Sequence, residues 1–119
     1  MSADPYNARV REFFDAPPHA GGLEGGVRVL ADDQGVRVAL SASVADGHIA
    51  ALRFRAWGCP HLIAAVEWVC SYYEGEPLQA LEKFPVARIM EDLAVPIEKT
   101  GRILVVEDAI QSLGRSLNH

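Results

Sequence analysis

The sequence predicts an α+β fold, a three-stranded antiparallel sheet (a meander) with helices packed on one face. Apolar residues occupy every second position along Val36–Val44, with Arg37, Ser41 and Ser43 between them, which is typical of a strand with one buried and one solvated face. Turn-forming residues flank this strand at Asp32–Gly35 and Ala45–Gly47 and predict a hairpin on each side. After Gly58 the apolar spacing becomes helical. Because the strands precede the helices instead of alternating with them, the fold class is α+β.

The segment before the sheet is predicted to be a helix followed by a long loop. The helix covers Tyr6–Phe14, with Asp4 as its N-cap, and ends before Pro17. The loop runs from Ala16 to Gly26, and its glycines predict that it is mobile. Three apolar residues share one face of the helix: Val10, Phe13 and Phe14.

The sheet and the helices after it follow from periodicity and from turn residues. The predicted strands are Val27–Ala31, Val36–Val44 and His48–Trp57. A helix begins at Pro60, and Gly75 is placed to end it in a left-handed conformation. Three more helices are predicted at Leu78–Phe84, Val86–Leu93 and about Thr100–Leu117.

The apolar positions of these elements form the predicted core. The middle strand is expected to turn five residues inward: Val36, Val38, Leu40, Ala42 and Val44. The helix that begins at Pro60 has an apolar stripe formed by Leu62, Val66, Val69 and Tyr73. Ile63 and Cys70 widen this stripe. The last helix is expected to bury five residues: Ile103, Val106, Ala109, Ile110 and Leu113.

Composition predicts one globular domain spanning residues 1–119, with 50% apolar and 23% charged residues. Eleven Lys and Arg against sixteen Asp and Glu give a net charge of −5, so no nucleic-acid partner is expected. No charge-free run approaches the roughly 20 residues of a membrane-spanning helix. The segment Met1–Pro5 lacks the features of a secretory signal. We therefore expect a cytoplasmic protein without a membrane partner.

Cys59 is the residue best placed to carry chemistry. It lies between Gly58 and Pro60, where a strand passes into a helix, and the free amides and helix dipole there lower the pKa of a thiol. A thiolate binds soft metals or acts as a nucleophile. The alternative is that Cys59 is a small apolar residue in a tight turn. Cys70 lies on the apolar stripe and is predicted to be a core residue.

The meander brings a second set of polar residues to Cys59. The Asp32–Gly35 turn and the exit of the third strand lie at the same end of the sheet, so Asp32 and Asp33 are expected near the thiol. Turns also favour aspartate for local backbone hydrogen bonds. His61 is a possible second soft ligand or a base. The candidate metal ligands are Cys59, Asp33, Asp32 and His61. A clustered zinc site of the usual type would need two further Cys or His residues.

Other catalytic patterns are missing from the sequence. Ser41 and Ser43 have no His and Asp partners that could complete a hydrolase triad. The sequence also contains no Walker loop, no dinucleotide-binding fingerprint and no HExxH motif.

Several segments resemble those of one family, in the same order along the chain. The most specific is Arg53–Cys59 (Arg-Phe-Arg-Ala-Trp-Gly-Cys), which enters the helix after Pro60. The others are Tyr6–Val10, Phe13–Phe14, Glu67–Val69 and Glu107–Ile110. Together they resemble the iron–sulfur cluster assembly scaffold family of the IscU and NifU N-terminal type. The resemblance covers nearly the whole chain and implies that family's fold, a three-stranded antiparallel sheet with helices packed against it.

The resemblance implies assembly of a [2Fe–2S] cluster on three cysteines with the help of an aspartate. One of those cysteines corresponds to Cys59. Asp33 lies where the first cysteine would be, and Gly35 where the assisting aspartate would be. Arg102 lies at the third cysteine and Gly101 at the neighbouring histidine. Cys59 and Asp33 are therefore the candidate cluster ligands, the implied cargo is iron or a [2Fe–2S] cluster, and zinc is left open.

The resemblance also implies partners: a cysteine desulfurase, a chaperone or an acceptor protein. The family's chaperone-recognition segment, Leu-Pro-Pro-Val-Lys, corresponds to Val95–Lys99. The candidate partner-binding residues are Val95, Pro96 and Lys99. The same segment is equally interpretable as a helix-breaking linker.

Three functions are open at this point, and none of them is an enzyme, since we expect a scaffold or carrier protein. The first is a scaffold-like protein that binds iron or a cluster weakly, or together with a partner, through Cys59 and the acidic turn. The second is an interaction module without cluster chemistry. The third is a thiol carrier that accepts sulfur as a persulfide on Cys59, whose anion Arg102 would stabilise.

Overall fold

The computed structural model describes residues 6–117, and the sheet within them has three antiparallel strands in the order β1-β2-β3. The strands are β1 (Val27–Asp33), β2 (Val36–Ala45) and β3 (His48–Trp57). This confirms the predicted meander, with β1 and β2 extending slightly further into their turns than the alternation predicts. The residues of both hairpin turns adopt left-handed backbone angles, with φ of 72° at Gly35 and 75° at Gly47.

Helices account for most of the remaining described residues. The α-helices are α1 (Ala8–Asp15), α2 (Pro60–Tyr73), α3 (Val86–Asp92) and α4 (Thr100–Leu117). Two 3₁₀ turns lie at Leu78–Glu82 and Ile97–Lys99. The first of these was predicted as a helix reaching Phe84, but it ends two residues earlier, because Pro85 lacks an amide that could continue the ladder. No helix within residues 6–117 has the length and apolar character needed to cross a membrane.

The start of α1 differs from its prediction. Asn7 is the N-cap, and its side-chain oxygen accepts a hydrogen bond of 2.8 Å from the amide of Val10. The predicted cap, Asp4, lies outside the described residues. Val10 is fully buried and Phe13 is partly buried, as predicted, but Phe14 is 41% exposed. The prediction for Phe14 was wrong because α1 buries only a narrow stripe against α2.

A β-bulge in β3 changes the pairing near the second hairpin. Ser43 of β2 lies opposite Ala51, but Val44 lies opposite Ile49, so Ala50 is the extra residue of β3. Beyond the bulge the faces of β3 are exchanged, and Ile49 is buried while Ala50 is exposed. The first four inward positions of β2 are buried as predicted, but the fifth, Val44, is 41% exposed, because it lies at the end of the strand next to the hairpin turn.

The core lies between the inner face of the sheet and the helices α2 and α4. All five residues predicted to face inward from the last helix are buried, and so are the four of the α2 stripe. Cys70 is fully buried among them, as predicted. Helix α1 packs mainly on α2. The helices thus cover one sheet face, as the predicted α+β class requires.

The predicted loop before β1 is anchored in its middle. The amide of Phe54 donates a hydrogen bond to His19 O (2.9 Å), and the amide of Gly21 donates one to Phe54 O (2.8 Å). These bonds occupy the outer edge of β3, which would otherwise present unpaired backbone groups. The loop also approaches the outer face of the sheet, where Ser41 is only 6% exposed.

Candidate functional site

Cys59 lies at the junction between β3 and α2, as the sequence predicts. It is the N-cap residue of α2, half-buried, and its carbonyl accepts a hydrogen bond from the amide of Ile63. Gly58 makes this turn possible, because a Cβ at that position would clash with Leu62 and lie 2.9 Å from Val36 Cγ1. The junction therefore holds the thiol at the end of the sheet, next to the β1–β2 turn.

The pKa of Cys59 is lowered from the ordinary value of a thiol. Burial alone raises it, but three neighbouring groups outweigh burial. The backbone amide of Leu62 and the side chain of Arg102 lie near the sulfur as donors to its anionic form, and the charges of Lys99 and Arg102 also favour the thiolate. The amide belongs to the first turn of α2, so the expected effect of the helix start is present. The two cations add to it.

His61 is buried inside the protein and not available at its surface. Its ring contacts Tyr6, with 4.8 Å between the ring centroids, and its Nδ1 lies 2.9 Å from Lys99 Nζ. Burial lowers the pKa of His61, and the charges of Lys99 and Arg102 lower it further, so the ring is neutral near pH 7. The ammonium donates to Nδ1, which places the ring proton on Nε2. Within residues 6–117 this Nε2 has no hydrogen-bond partner.

The two aspartates of the β1–β2 turn form local contacts. Asp33 Oδ1 accepts a hydrogen bond of 2.8 Å from the amide of Gln34, which is the turn-forming role that the residue type favours. Asp32 is exposed and forms an ion pair with Arg37 on the outer face of the sheet (3.0 Å). Over residues 6–117, no three side chains of His, Cys, Asp and Glu come together as a metal site.

The start of α4 completes the surroundings of the thiol. Gly101 packs against the β1–β2 turn, since a Cβ on it would lie 3.2 Å from Gln34 Oε1. This contact brings Arg102 to the end of the sheet that carries Cys59. Lys99, a predicted partner-binding residue, also contacts His61, and the sequence pattern does not predict this contact. The sequence feature that could have indicated this contact is the position of Lys99 just before α4, because the start of α4 lies at the end of the sheet that carries Cys59.

The residues of the Val95–Lys99 segment that were predicted to bind a partner are buried, partly buried or in contact with another residue. Val95 is buried, Pro96 is partly buried and Lys99 contacts His61. The most exposed side chain of the segment is Ile97, at 84%. The assignment of Val95, Pro96 and Lys99 to a partner stays a prediction.

A second polar cluster, which the sequence reasoning missed, lies at the other end of α2. Glu67 is fully buried and accepts hydrogen bonds from the amide of His19 (2.8 Å), from His19 Nδ1 (2.6 Å) and from Ser71 (2.8 Å). His19 Nε2 also lies 3.3 Å from Glu74, and Glu74 pairs with Arg53 (2.6 Å). The side chain of His19 is only 16% exposed.

Comparison with known proteins finds a protein family whose members match most of the chain. Residues 5–113 match the family described as NifU-like N terminal domain. The chain is 27% identical over 120 residues to the mitochondrial iron sulfur cluster assembly protein 1 of Schizosaccharomyces pombe, and this covers 94% of the chain and 62% of that protein. The chain therefore spans about three-fifths of the length of the yeast relative. It is 24% identical over 127 residues to the iron-sulfur cluster assembly scaffold protein IscU of Azotobacter vinelandii, covering 96% of the chain and 94% of that protein.

Solved structures share the same fold at lower identity. A protein described as a candidate iron-sulfur cluster assembly scaffold for the SUF system, from Fervidobacterium islandicum AW-1, superposes with a TM-score of 0.73 at 14% identity. That match covers 93% of this chain and 97% of the other. The N-terminal part of a nitrogen-fixing NifU-like protein from Brucella abortus gives a TM-score of 0.61 at 16% identity, covering 92% and 80%.

Proposed function

Since the chain belongs to the NifU-like N-terminal domain family, we propose that it works in iron–sulfur cluster assembly as a scaffold or carrier protein and not as an enzyme. The sequence relatives named for that process and the shared fold support this role. One observation in the structure carries it further. A half-buried thiol with a lowered pKa lies at the sheet end, and two cationic side chains, Arg102 and Lys99, surround it.

A [2Fe–2S] cluster held by this chain alone does not fit the side chains around Cys59. Such clusters are bound by several thiolates, and Cys70 is buried in the core eleven residues further on, about 16 Å along a helix. Arg102 and Lys99 also place positive charge where iron cations would bind. As cargo, iron or a cluster would need ligands from a partner or a second copy of the chain.

The predicted co-ligands Asp33, Asp32 and His61 remain proposals. Each already has a contact of its own, with Gln34, Arg37 and Lys99 respectively. Release from these contacts would be needed before any of them could join Cys59 at a metal, whether the metal is iron or zinc.

The cationic surroundings of the thiol favour a second candidate function, a sulfur carrier. A persulfide is an anion at neutral pH, and the guanidinium and ammonium groups that stabilise the thiolate would stabilise it too. In the proposed step, the Cys59 thiolate attacks the outer sulfur of a persulfide on a partner's cysteine. A new S–S bond forms on Cys59, the partner's S–S bond breaks, and the partner's thiolate leaves. No net oxidation occurs, because one persulfide is exchanged for another.

The two candidates separate in one set of experiments on the full chain, using Cys59→Ser and the buried-cysteine control Cys70→Ser. For the carrier, incubation with a persulfide-loaded cysteine desulfurase should add the mass of one sulfur atom to wild type and Cys70→Ser, and none to Cys59→Ser. For the scaffold, anaerobic incubation with iron and sulfide, with and without the desulfurase, should give visible absorbance that Cys59→Ser abolishes. If neither signal depends on Cys59, the proposal is wrong and an interaction module remains.

The partners and the location are proposed on the same basis. A cysteine desulfurase would supply sulfur, and a chaperone or an acceptor protein would receive the product. We propose a cytoplasmic location, although the yeast relative is mitochondrial.

A further inference from the structure

The outer face of the sheet carries four arginines that differ in their pairing. Two of them form ion pairs within the chain: Arg37 with Asp32, and Arg53 with Glu74. The other two, Arg28 and Arg55, have no acidic partner anywhere between residues 6 and 117. Two guanidinium groups without an acidic partner therefore share one face of the sheet in a protein whose net charge is −5.

The two unpaired arginines line one cavity of about 200 Å³. Strand register explains why they meet there: Arg28 pairs with Ser41 of the middle strand, and Arg55 pairs with the next outward residue of that strand, Ala39. Trp57 forms an apolar wall of the same cavity, and the backbone of Gly21–Gly22 borders it. The loop and the sheet therefore enclose a space that the sheet alone would leave open.

The polar groups of this cavity are hydrogen-bond donors without acceptors. Ser41 is only 6% exposed, yet its hydroxyl makes no hydrogen bond to any described residue. The guanidinium of Arg55 lies beside the loop, 3.6 Å from the position that a Cβ on Gly22 would occupy. No carboxylate lines the cavity. Arginine forks bind carboxylate and phosphate groups in bidentate geometry, and they do so more strongly where water is partly excluded.

We propose that this cavity binds a small anion that carries a carboxylate or phosphate group. Arg28 and Arg55 hold the charged group, the Ser41 hydroxyl donates one hydrogen bond, and Trp57 contacts the remainder of the ligand. The volume is below that of pockets for drug-sized molecules, roughly 300–1,000 Å³, so the ligand is a compact one. Trp57 lies two residues before Cys59, whereas Arg28 and Ser41 lie further along the sheet, away from the thiol.

Tryptophan fluorescence tests the proposal directly. The chain has two tryptophans, so Trp68→Phe leaves Trp57 as the only reporter. This variant is titrated at constant ionic strength with malonate and, separately, with inorganic phosphate. We expect a saturable change with at least one of them, and the probe that binds more tightly identifies the class of anion. An unsaturated, linear response to both probes up to about ten millimolar would overturn the proposal.

Matched arginine substitutions distinguish the cavity from general electrostatic attraction. In the Trp68→Phe background, Arg28→Gln and Arg55→Gln should each weaken binding about tenfold or more, since each removes a charge-assisted hydrogen bond. Arg37→Gln removes the same charge from the same face, but from an arginine already paired with Asp32, and should change the affinity less than threefold. Because the Arg37 guanidinium lies 5.8 Å from the centre of the Trp57 ring, the variants are compared by their affinity and not by the amplitude of the fluorescence change. Equal weakening by all three variants would show a diffuse charge effect and no site. Circular dichroism confirms that each variant is folded.

Discussion

Cys59 and Cys70 are the same residue type in one helical region, but their surroundings shift their pKa values in opposite directions. Burial raises the pKa of Cys70 well above the ordinary value, and the nearby carboxylates Glu67 and Glu74 raise it further. Burial also raises the pKa of Cys59, but a backbone amide and the cations near the thiol outweigh it. Burial, the Leu62 amide and the charges of the neighbouring side chains together separate the pKa values of the two cysteines.

Replacing Arg102 tests that conclusion at a single residue. We expect Arg102→Ala to raise the pKa of Cys59 and so to slow its alkylation by iodoacetamide at pH 7 several-fold, because less thiolate is present. The rate is measured by mass spectrometry as a function of pH, and the midpoint should move upward. Arg115→Ala, in the last turn of α4, is the matched control and should leave the rate unchanged. An identical midpoint in wild type and Arg102→Ala would contradict the assigned role.

Part of the site could be predicted from the sequence, and part could not. The position of Cys59 follows from local signals: a glycine, a cysteine and a proline between an alternating segment and a helical one. The burial of His61 and its contact with Lys99 join residues 38 positions apart. Local spacing does not determine such a contact, because the packing of α4 against the sheet sets it.

At the scale of elements, the spacing of apolar residues predicted the bounds of the strands and helices that depend on that spacing. The bounds of β3 and α4 agree with the structure because an alternating strand and an amphipathic helix are both defined by spacing alone. The bulge at Ala50, which buries Ile49, was not predictable in the same way, since a bulge arises from how two strands pair. The 3₁₀ turn at Leu78–Glu82 also depends on tertiary contacts, such as the hydrogen bond from the Leu78 amide to Gly47 O.

The junction between β3 and α2 gives an element-scale prediction with a built-in contrast. Gly58→Ala should destabilise the fold by about 1–3 kcal/mol, because the added methyl group would overlap Leu62 and Val36. Gly114→Ala, inside α4, should be neutral or stabilising by up to about 1 kcal/mol, since its Cβ would meet Leu81 at an ordinary 3.5 Å and alanine favours helix. Urea unfolding followed by circular dichroism measures both. Similar effects from the two substitutions would show that the junction is not tightly packed.

At the scale of the whole molecule, the cluster of polar groups around His19 connects parts of the chain that are far apart in sequence. His19 lies on the loop before β1, and its partners Glu67 and Glu74 lie 48 and 55 residues further on. Arg53, on β3, extends the cluster to the sheet. A buried carboxylate is costly unless it is hydrogen-bonded, and Glu67 accepts three hydrogen bonds here. The cluster therefore fixes the loop to both α2 and β3, which no single segment of the sequence indicates.

Glu74 gives this cluster a measurable dependence on pH. Burial raises the pKa of Glu74, but hydrogen bonds from the Leu52 amide, Arg53 and His19 outweigh burial, so the pKa in the folded state lies below the ordinary value. The stabilisation is therefore fully present above the unfolded-state pKa, about 4.3, and is lost as the pH falls through the lower folded-state value.

We expect Glu74→Gln to destabilise the protein at pH 7 and the difference from wild type to shrink steadily below about pH 4. The free energy of unfolding in urea is measured across that range, with Glu76→Gln as the control, because Glu76 is an exposed neighbour that forms no ion pair within residues 6–117. A destabilisation by Glu74→Gln that stays constant from pH 7 to pH 3 would mean that the carboxylate contributes by its shape and not by its charge.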